Sequence, residues 1–252
     1  MSTTSTRTQL QVAMSPQAET EAEDTRQLSF ELLIKHNDKR DALKLVADSV
    51  AQQRQVASSA LIFHPICLSA LIGFISLVQM NVDYIRTDYS AMMVTYSGVV
   101  MGYLMAVRYV TSKFIRIAEE TEWPNWLKNE DGADDVVIGA RFGPEMIAAV
   151  VLRRPRTTPR SKATHDSKAT IRAWTTKTKY RCRGLGGDML REAVKKTKET
   201  LGPNGVVEIA EDHANSNLLP LPASFNAVFT RREQKAKDAL SAAMRDWETA
   251  EH

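Results

Sequence analysis

The sequence predicts an α+β protein, a mixed β-sheet flanked by helices, with a two-helix apolar hairpin inserted ahead of most of the strands. Three observations carry this reading. Two long runs, 55–82 and 89–107, hold no formally charged side chain. After Pro124 the pattern changes to short β-branched segments separated by glycine, proline and polar breaks. An amphipathic helical segment then lies between two such strands, as in a right-handed parallel crossover. The hydrophobic content of 43% is ordinary for a packed domain, so its uneven distribution is the informative part.

Lysine and arginine number 33 against 30 aspartates and glutamates, a formal net charge of +3. That balance lacks the basic excess of a nucleic-acid binder, and no nucleic-acid partner is expected. The two cysteines are Cys67, in the first apolar run, and Cys182, in a glycine-rich turn. They form neither a disulfide framework nor a zinc-ligand spacing, and no metal is expected. No N-x-S/T sequon occurs. The N-terminal residues are polar, without the apolar core of a signal peptide.

A membrane helix needs roughly 20 apolar residues. Spans are expected at about 56–80 and 89–107, joined by six residues, 83–88. Pro65 should kink or begin the first helix. Gly73, Gly98 and Gly102 supply small residues for close helix packing, and Gly98-x-x-x-Gly102 would also allow contact with a second copy as a homodimer. Lys35, Lys39, Arg40, Lys44 and Arg54 precede the pair, and Arg108, Lys113 and Arg116 follow it, which puts both termini in the cytosol.

The remaining elements follow in order. Residues 8–14 alternate like a short strand, and 25–54 read as a helix with Leu28, Phe30, Leu32, Leu33, Leu43, Leu45, Val46 and Val50 as its apolar set. The second span should continue to a stop near Pro124, with Trp123 and Trp126 as interface anchors or core. Segments 134–141 and 145–154 flank "FGP", an antiparallel hairpin. Residues 153–168 are basic and proline-interrupted, the composition of a loop. A third strand, "ATIRAWTTKT", should place Ile171 and Ala173 on one side and Trp174 on the other. A helix follows with Met189, Leu190, Ala193 and Val194 inward and Gly202 as its stop, then a strand at 205–210 and a charge-rich helix at 231–251. The expected units are 1–54, joining the catalytic domain; the membrane hairpin, 55–118; the cytosolic domain, 119–230; and the C-terminal helix, 231–252.

The stretch "YRCRGLGGDML" lies at a strand-to-helix junction. Arg181, Gly184 and Gly186 follow R-x-x-G-x-G. The first N–H groups of a helix lack internal partners and carry partial positive charge. Glycines let an anion approach the backbone, and Arg181 and Arg183 add charge. The segment Arg181, Cys182, Arg183, Gly184, Leu185, Gly186 and Gly187 therefore reads as a cradle for a pyrophosphate. It is too short for a P-loop and lacks the lysine-serine pair of one. The competing reading is a basic turn that caps an ordinary helix.

"TTKTKYRCRGLGGDML" resembles the coenzyme A-binding segment of the GNAT superfamily of N-acetyltransferases. The resemblance covers 134 to about 229, with 8–14 and the helix after it as the family's first strand and helix. A hairpin inserted before the second strand resembles the membrane-tethered branch found in mammalian endoplasmic-reticulum acetyltransferases. The segment 210–236 is similar to fungal membrane proteins of this class, and the hairpin after His64-Pro65 resembles a fungal protein that helps to package a phosphate transporter. The resemblance implies an endoplasmic-reticulum membrane protein that uses acetyl-CoA to acetylate an amine of a protein or small molecule. It implies that main-chain groups of Trp174, Thr175 and Thr176 pair with the pantetheine arm, that 181–186 wrap the pyrophosphate, and that Asn215 lies near the cofactor.

The family often carries a glutamate base on the strand before the turn, where this chain has Arg172 and no carboxylate. The nearest ionisable residues are Glu208, Glu211, Asp212 and His213, of which Glu208 and His213 are the catalytic candidates. The late tyrosine acid is missing, and Phe225 and Phe229 stand in that region. Those departures leave a second reading open: a catalytically inactive GNAT-like adaptor or chaperone for a membrane-protein client.

Overall fold

The computed structural model describes residues 27–81, 88–129, 132–154 and 168–250. The strand expected at 8–14, the turn between the apolar helices and most of the 153–168 loop lie outside them. Strand β1 (Leu28–Leu32) is followed by α1 (His36–Ile62), α2 (Pro65–Asn81), α3 (Tyr89–Thr111), α4 (Lys113–Glu120) and α5 (Trp123–Trp126). Then come β2 (Val136–Phe142), β3 (Glu145–Arg153), β4 (Lys168–Thr176), α6 (Leu185–Leu201), β5 (Val206–Ile209) and α7 (Ala227–Ala250). The five strands form one mixed sheet in the order β1-β2-β3-β4-β5. The first four are antiparallel, and β4 pairs with β5 in parallel through the α6 crossover.

Residues 28–32 are a strand, not the start of the expected helix. Leu28, Phe30 and Leu32 alternate with Ser29 and Glu31, and β1 pairs with β2 from Leu28↔Phe142 to Leu32↔Ile138. The period is 2, but apolar residues close behind it at 33 and 43–50 also satisfy a helical period. Helix α1 then runs unbroken across residues 54 and 55, where a domain boundary was expected.

The central strands are buried on both faces. Ile138, Val150, Ile171, Met189, Leu190 and Leu240 form one core between the sheet and α6 with α7. Val46, Val50, Leu127, Val137, Val151 and Ala173 form the other, against α1 and α5. Ile171 and Ala173 thus face opposite cores, contrary to simple alternation. The register jumps from Val151↔Ala173 to Leu152↔Ile171, so Arg172 is the extra residue of a β-bulge. Its guanidinium is buried. It donates to Asp135 Oδ2 at 2.9 Å and to the Trp126 carbonyl, and lies 3.9 Å over the Trp126 ring. Trp126 is therefore a wall for this cation, and Trp123 donates its indole N–H to the Ala118 carbonyl at 2.9 Å.

The first apolar run is divided. Residues 56–62 complete α1, with Ala57 and Leu61 buried against Val107, Phe114, Leu219 and Phe229. Pro65 cannot continue that helix and begins α2 instead. Tyr103 donates its hydroxyl to the Leu61 and Ile62 carbonyls at 3.2 and 2.9 Å beside the break, where the Leu61 carbonyl also accepts from the His64 N–H at 3.2 Å. Among the described residues one helical stretch, Tyr89–Glu120, is long and apolar enough to cross a membrane. Helices α1 and α2 pass that test only as a pair bent by 56°. Alone, α2 is about 25 Å long at roughly 1.5 Å per residue. None of its residues is buried, and Ile72, Phe74, Leu77 and Met80 are exposed. Among the described residues, a Cβ added at Gly73, Gly98 or Gly102 would meet nothing within 4 Å, so the expected close packing through these glycines is not made between them.

Candidate active site

Strand β5 accompanies β4 only as far as Ile171↔Ile209. Beyond that the chain turns away, and the Ala210 and Ala214 N–H groups donate to the Ile171 and Arg172 carbonyls at 3.0 and 2.8 Å. Successive carbonyls facing the same edge are the mark of the bulge. The rest of β4 keeps an open edge. The Lys177 N–H donates to the Ile147 carbonyl on the β3 side at 2.8 Å. By alternation the Trp174 and Thr176 main-chain groups therefore point away from β3, into the gap.

This gap is a cleft of about 370 Å³, within the range of small-molecule sites. It passes through the sheet. On the α6 face it is lined by Ile171, Trp174, Gly186 and Ile209; on the α1 face by Ser49, Gln53, Ala173 and Thr175. Helix α7 adds Arg232 and Glu233 to its wall.

Of the expected site residues, Trp174, Thr175, Thr176, Arg181, Cys182, Gly186, His213 and Asn215 line the cleft. Arg183, Gly184, Leu185 and Gly187 form the adjoining turn without lining it, and Leu185 is buried in the core below. Glu208 is misplaced as a catalytic candidate. It is exposed on β5 and pairs with Lys168 at 3.1 Å, outside the cleft. Period-2 alternation on this short edge strand directs its side chain to solvent.

Gly184 has a φ of 84° and serves as the N-cap of α6, a left-handed position that favours glycine. Its carbonyl accepts from the Gly187 and Asp188 N–H groups at 2.8 and 3.2 Å. Among the described residues no acceptor takes the Leu185 or Gly186 N–H. Cys182 also lies at positive φ, 60°, which tightens the turn. Gly186 is small for a different reason from the one expected. A Cβ there would meet Trp174 Cζ2 at 3.1 Å, and the Trp174 indole N–H donates to the Gly186 carbonyl at 3.1 Å. The space left by this glycine belongs to the indole.

Arg181 donates from Nε to the Thr176 carbonyl at 2.9 Å and from Nη2 to Gln52 Oε1 at 2.7 Å. Burial holds its pKa below the usual arginine value, and the like charge of Arg232 adds to that. Among the described residues neither arginine has a carboxylate partner. Two guanidiniums thus share one cleft without a counter-ion. Glu233 is committed elsewhere. Lys237 donates to it at 2.8 Å and holds its carboxyl below the usual range, with a smaller contribution from His213.

His213 Nδ1 lies 3.0 Å from the Ala210 carbonyl. A carbonyl only accepts, so Nδ1 carries the hydrogen and the neutral ring presents Nε2 as an acceptor. Asn215 faces Ser49 at 3.3 Å, and its main-chain carbonyl accepts from Gln53 Nε2 at 2.7 Å. Phe225 stacks on His64 at 4.1 Å and Phe229 on Phe114 at 5.6 Å, so both pack the base of the apolar hairpin.

Sequence reasoning missed Ser49, Gln52, Gln53 and Val56, which line the cleft from α1. The signal was present. These positions follow i, i+3, i+4, i+7, a helix face on which polar residues interrupt the apolar stripe.

The fold and site define a mixed α+β domain with a through-sheet cleft that ends on a cationic helix N-terminus. No family model and no curated protein matches the chain. Two solved structures are similar to it. A transcriptional regulator from Bacillus halodurans C-125 shares 17% identity over 48% of this chain and 67% of its own, with a TM-score of 0.26. A candidate acetyltransferase from Pyrococcus horikoshii shares 11% identity over 82% of this chain and 88% of its own, with a TM-score of 0.30. Scores this low carry neither a fold family nor an activity.

Proposed function

We propose that the protein is a membrane-anchored GNAT-like N-acetyltransferase that takes acetyl-CoA in the through-sheet cleft and transfers the acetyl group to an amine. The observation that carries this reading is the open β4 edge running into a helix N-terminus flanked by Arg181 and Arg232. The residues fit the carrier. Arg181, Arg232 and the free Leu185 and Gly186 N–H groups suit its phosphates. The Trp174 N–H and C=O suit the amides of its arm. A bound acetyl thioester would supply an activated carbonyl and a thiolate leaving group. His213 Nε2 accepts the proton shed by an amine as its nitrogen bonds to the acyl carbon. Main-chain N–H groups of the open edge stabilise charge developing on the acyl oxygen.

The test is a thermal-shift titration of detergent-purified protein with CoA. A saturable rise in Tm supports the reading, and no response sinks it.

The second reading, an inactive adaptor for a membrane client, is favoured by one observation. Among the described residues, no carboxylate free of a basic partner lines the cleft, because Glu208 lies outside it and Glu233 is paired. CoA binding without acetyl transfer to peptides or polyamines would support it.

The exposed apolar surfaces of α2 and α3 motivate the membrane anchor. The endoplasmic reticulum as its location follows from the sequence resemblance alone, and the flanking cations favour cytosolic termini. In sealed vesicles carrying the protein, added protease should digest residues 120–252. Their protection would contradict this orientation.

A further inference from the structure

The α1 wall of the cleft changes from polar to apolar along its length. Ser49, Gln52 and Gln53 come first, and the half-buried Val56 is the last α1 residue in the lining. One residue on, Ala57 is fully buried against Val107, Phe114 and Leu219 at the base of the apolar hairpin. Phe229 belongs to both places, since it lines the cleft and stacks on Phe114. A second wall takes the same course. It begins at His213 and ends at Leu218, which is 46% exposed at the rim. The Leu218 carbonyl accepts from Lys113 Nζ at 3.4 Å. Lys113 stands four residues past the exposed Tyr109 in the membrane-length stretch Tyr89–Glu120, roughly 6 Å along a helix. The apolar end of the cleft therefore lies beside the base of the hairpin. The polar side chains that α1 lends to the cleft are engaged inside the chain. Ser49 meets Asn215 at 3.3 Å, Gln53 Nε2 donates to the Asn215 carbonyl at 2.7 Å, and Gln52 Oε1 accepts from Thr178 and Arg181 at 3.1 and 2.7 Å.

We infer that the acyl acceptor is an amphiphilic primary amine drawn from the bilayer, with its hydrocarbon chain against Val56 and Leu218 and its nitrogen at His213. This rests on the transferase and membrane-anchor readings. A peptide laid along this wall would give up hydration of its N–H and C=O groups and find the polar side chains of α1 already taken. A hydrocarbon chain needs no such partners and gains by leaving water. The distances suit it. Five residues separate His213 from Leu218, so the proton acceptor lies at most about 18 Å from the rim even along an extended chain. An amine on a long tail reaches that far while the tail stays on the hairpin side. The unprotonated amine attacks the acyl carbon, the C–N bond forms and the C–S bond breaks. One N–H proton passes to His213 Nε2, and the sulfur leaves as thiolate. Val56 and Leu218 are specificity-determining residues in this step.

The test uses the full chain in phosphatidylcholine nanodiscs, whose headgroup has no N–H to acylate. Thiol release from acetyl-CoA is followed with propylamine, hexylamine, dodecylamine and a lysine peptide. Wild type should favour dodecylamine over propylamine in kcat/KM. That preference should fall about 5–30-fold in the Val56→Ser, Leu218→Ser variant, which loses the apolar contact. Partition of each amine into the disc is common to both proteins, so it cancels from the comparison. A preference of equal size in the variant overturns the inference. So does a lysine peptide that outperforms dodecylamine in wild type, which assigns the acceptor to a protein. Wild type that binds CoA but acetylates none of these amines also overturns it, while the cofactor site stands. Absence of CoA binding removes the transferase reading and the inference with it. Should the double variant not fold, Leu218→Ser alone changes an exposed side chain and should lower the preference about 3–10-fold.

Discussion

Asp135→Ala is expected to destabilise the domain by about 3–5 kcal/mol, because removing one partner of a buried ion pair strands the other charge. The Asp135 side chain is fully buried and accepts from Arg172 at 2.9 Å and Arg153 at 3.4 Å. Arg172 has little else to turn to. Its Nε is already buried without a partner, and its ring contact with Trp126 is not a counter-ion. In a chain of this size the loss corresponds to a fall in Tm of roughly 6–20 °C. The charge is the cause, so Asp135→Ala combined with Arg172→Met should be more stable than the sum of the single changes. A single variant within about 1 kcal/mol of wild type would show that water or local rearrangement replaces the pair. The expected effect also reaches the cleft, since Arg172 is the bulge that separates β4 from the path of β5.

Replacing Arg181 and Arg232 together with methionine should weaken CoA binding by two orders of magnitude or more. Each charge-assisted hydrogen bond contributes about 1.5–3 kcal/mol, so each single variant should lose about tenfold to a hundredfold. The loss should be smaller at high salt, because wild type itself binds less tightly there. Arg181 is held by Gln52 and Thr176 before any ligand arrives, so its position is preset. Arg232 comes from α7, far away in sequence, and nothing in the glycine turn announces it. If Arg232→Met binds CoA as wild type does, the anion lies against the turn alone.

The physical signals in the sequence differ in how far they reach. The β2–β3 hairpin, the α6 crossover and the Gly202 stop were legible because each rests on contacts local in the chain: "FGP", an amphipathic helix and a glycine at φ 87°. The charge-free run at 89–107 was legible for the same reason and lies within α3. The run at 56–80 was not, because its first two turns or so pack into the core while none of the helix that follows is buried. Only the packing of Ala57 and Leu61 against Phe114 and Phe229 tells the two parts apart. The bulge at Arg172 left no mark either. It arises from pairing with β3 and reverses which face Ile171 and Ala173 occupy.

For the candidate site, the turn and the end of β4 were readable as a unit. Its opposite wall was not. Ser49, Gln52 and Gln53 reach the cleft because α1 packs across the sheet, a relation that spans more than a hundred residues. Glu208 attracted attention through proximity in sequence, yet its strand ends before the gap opens.

The most direct measurement is the CoA titration of the full chain in detergent, with 3′,5′-ADP and pantetheine as the two halves of the ligand. The account predicts a saturable Tm increase with CoA, growing as the logarithm of concentration above the dissociation constant. It also predicts a weaker response to each half and loss of the response in the Arg181→Met, Arg232→Met variant. No shift with CoA, or an equal shift in that variant, would contradict it.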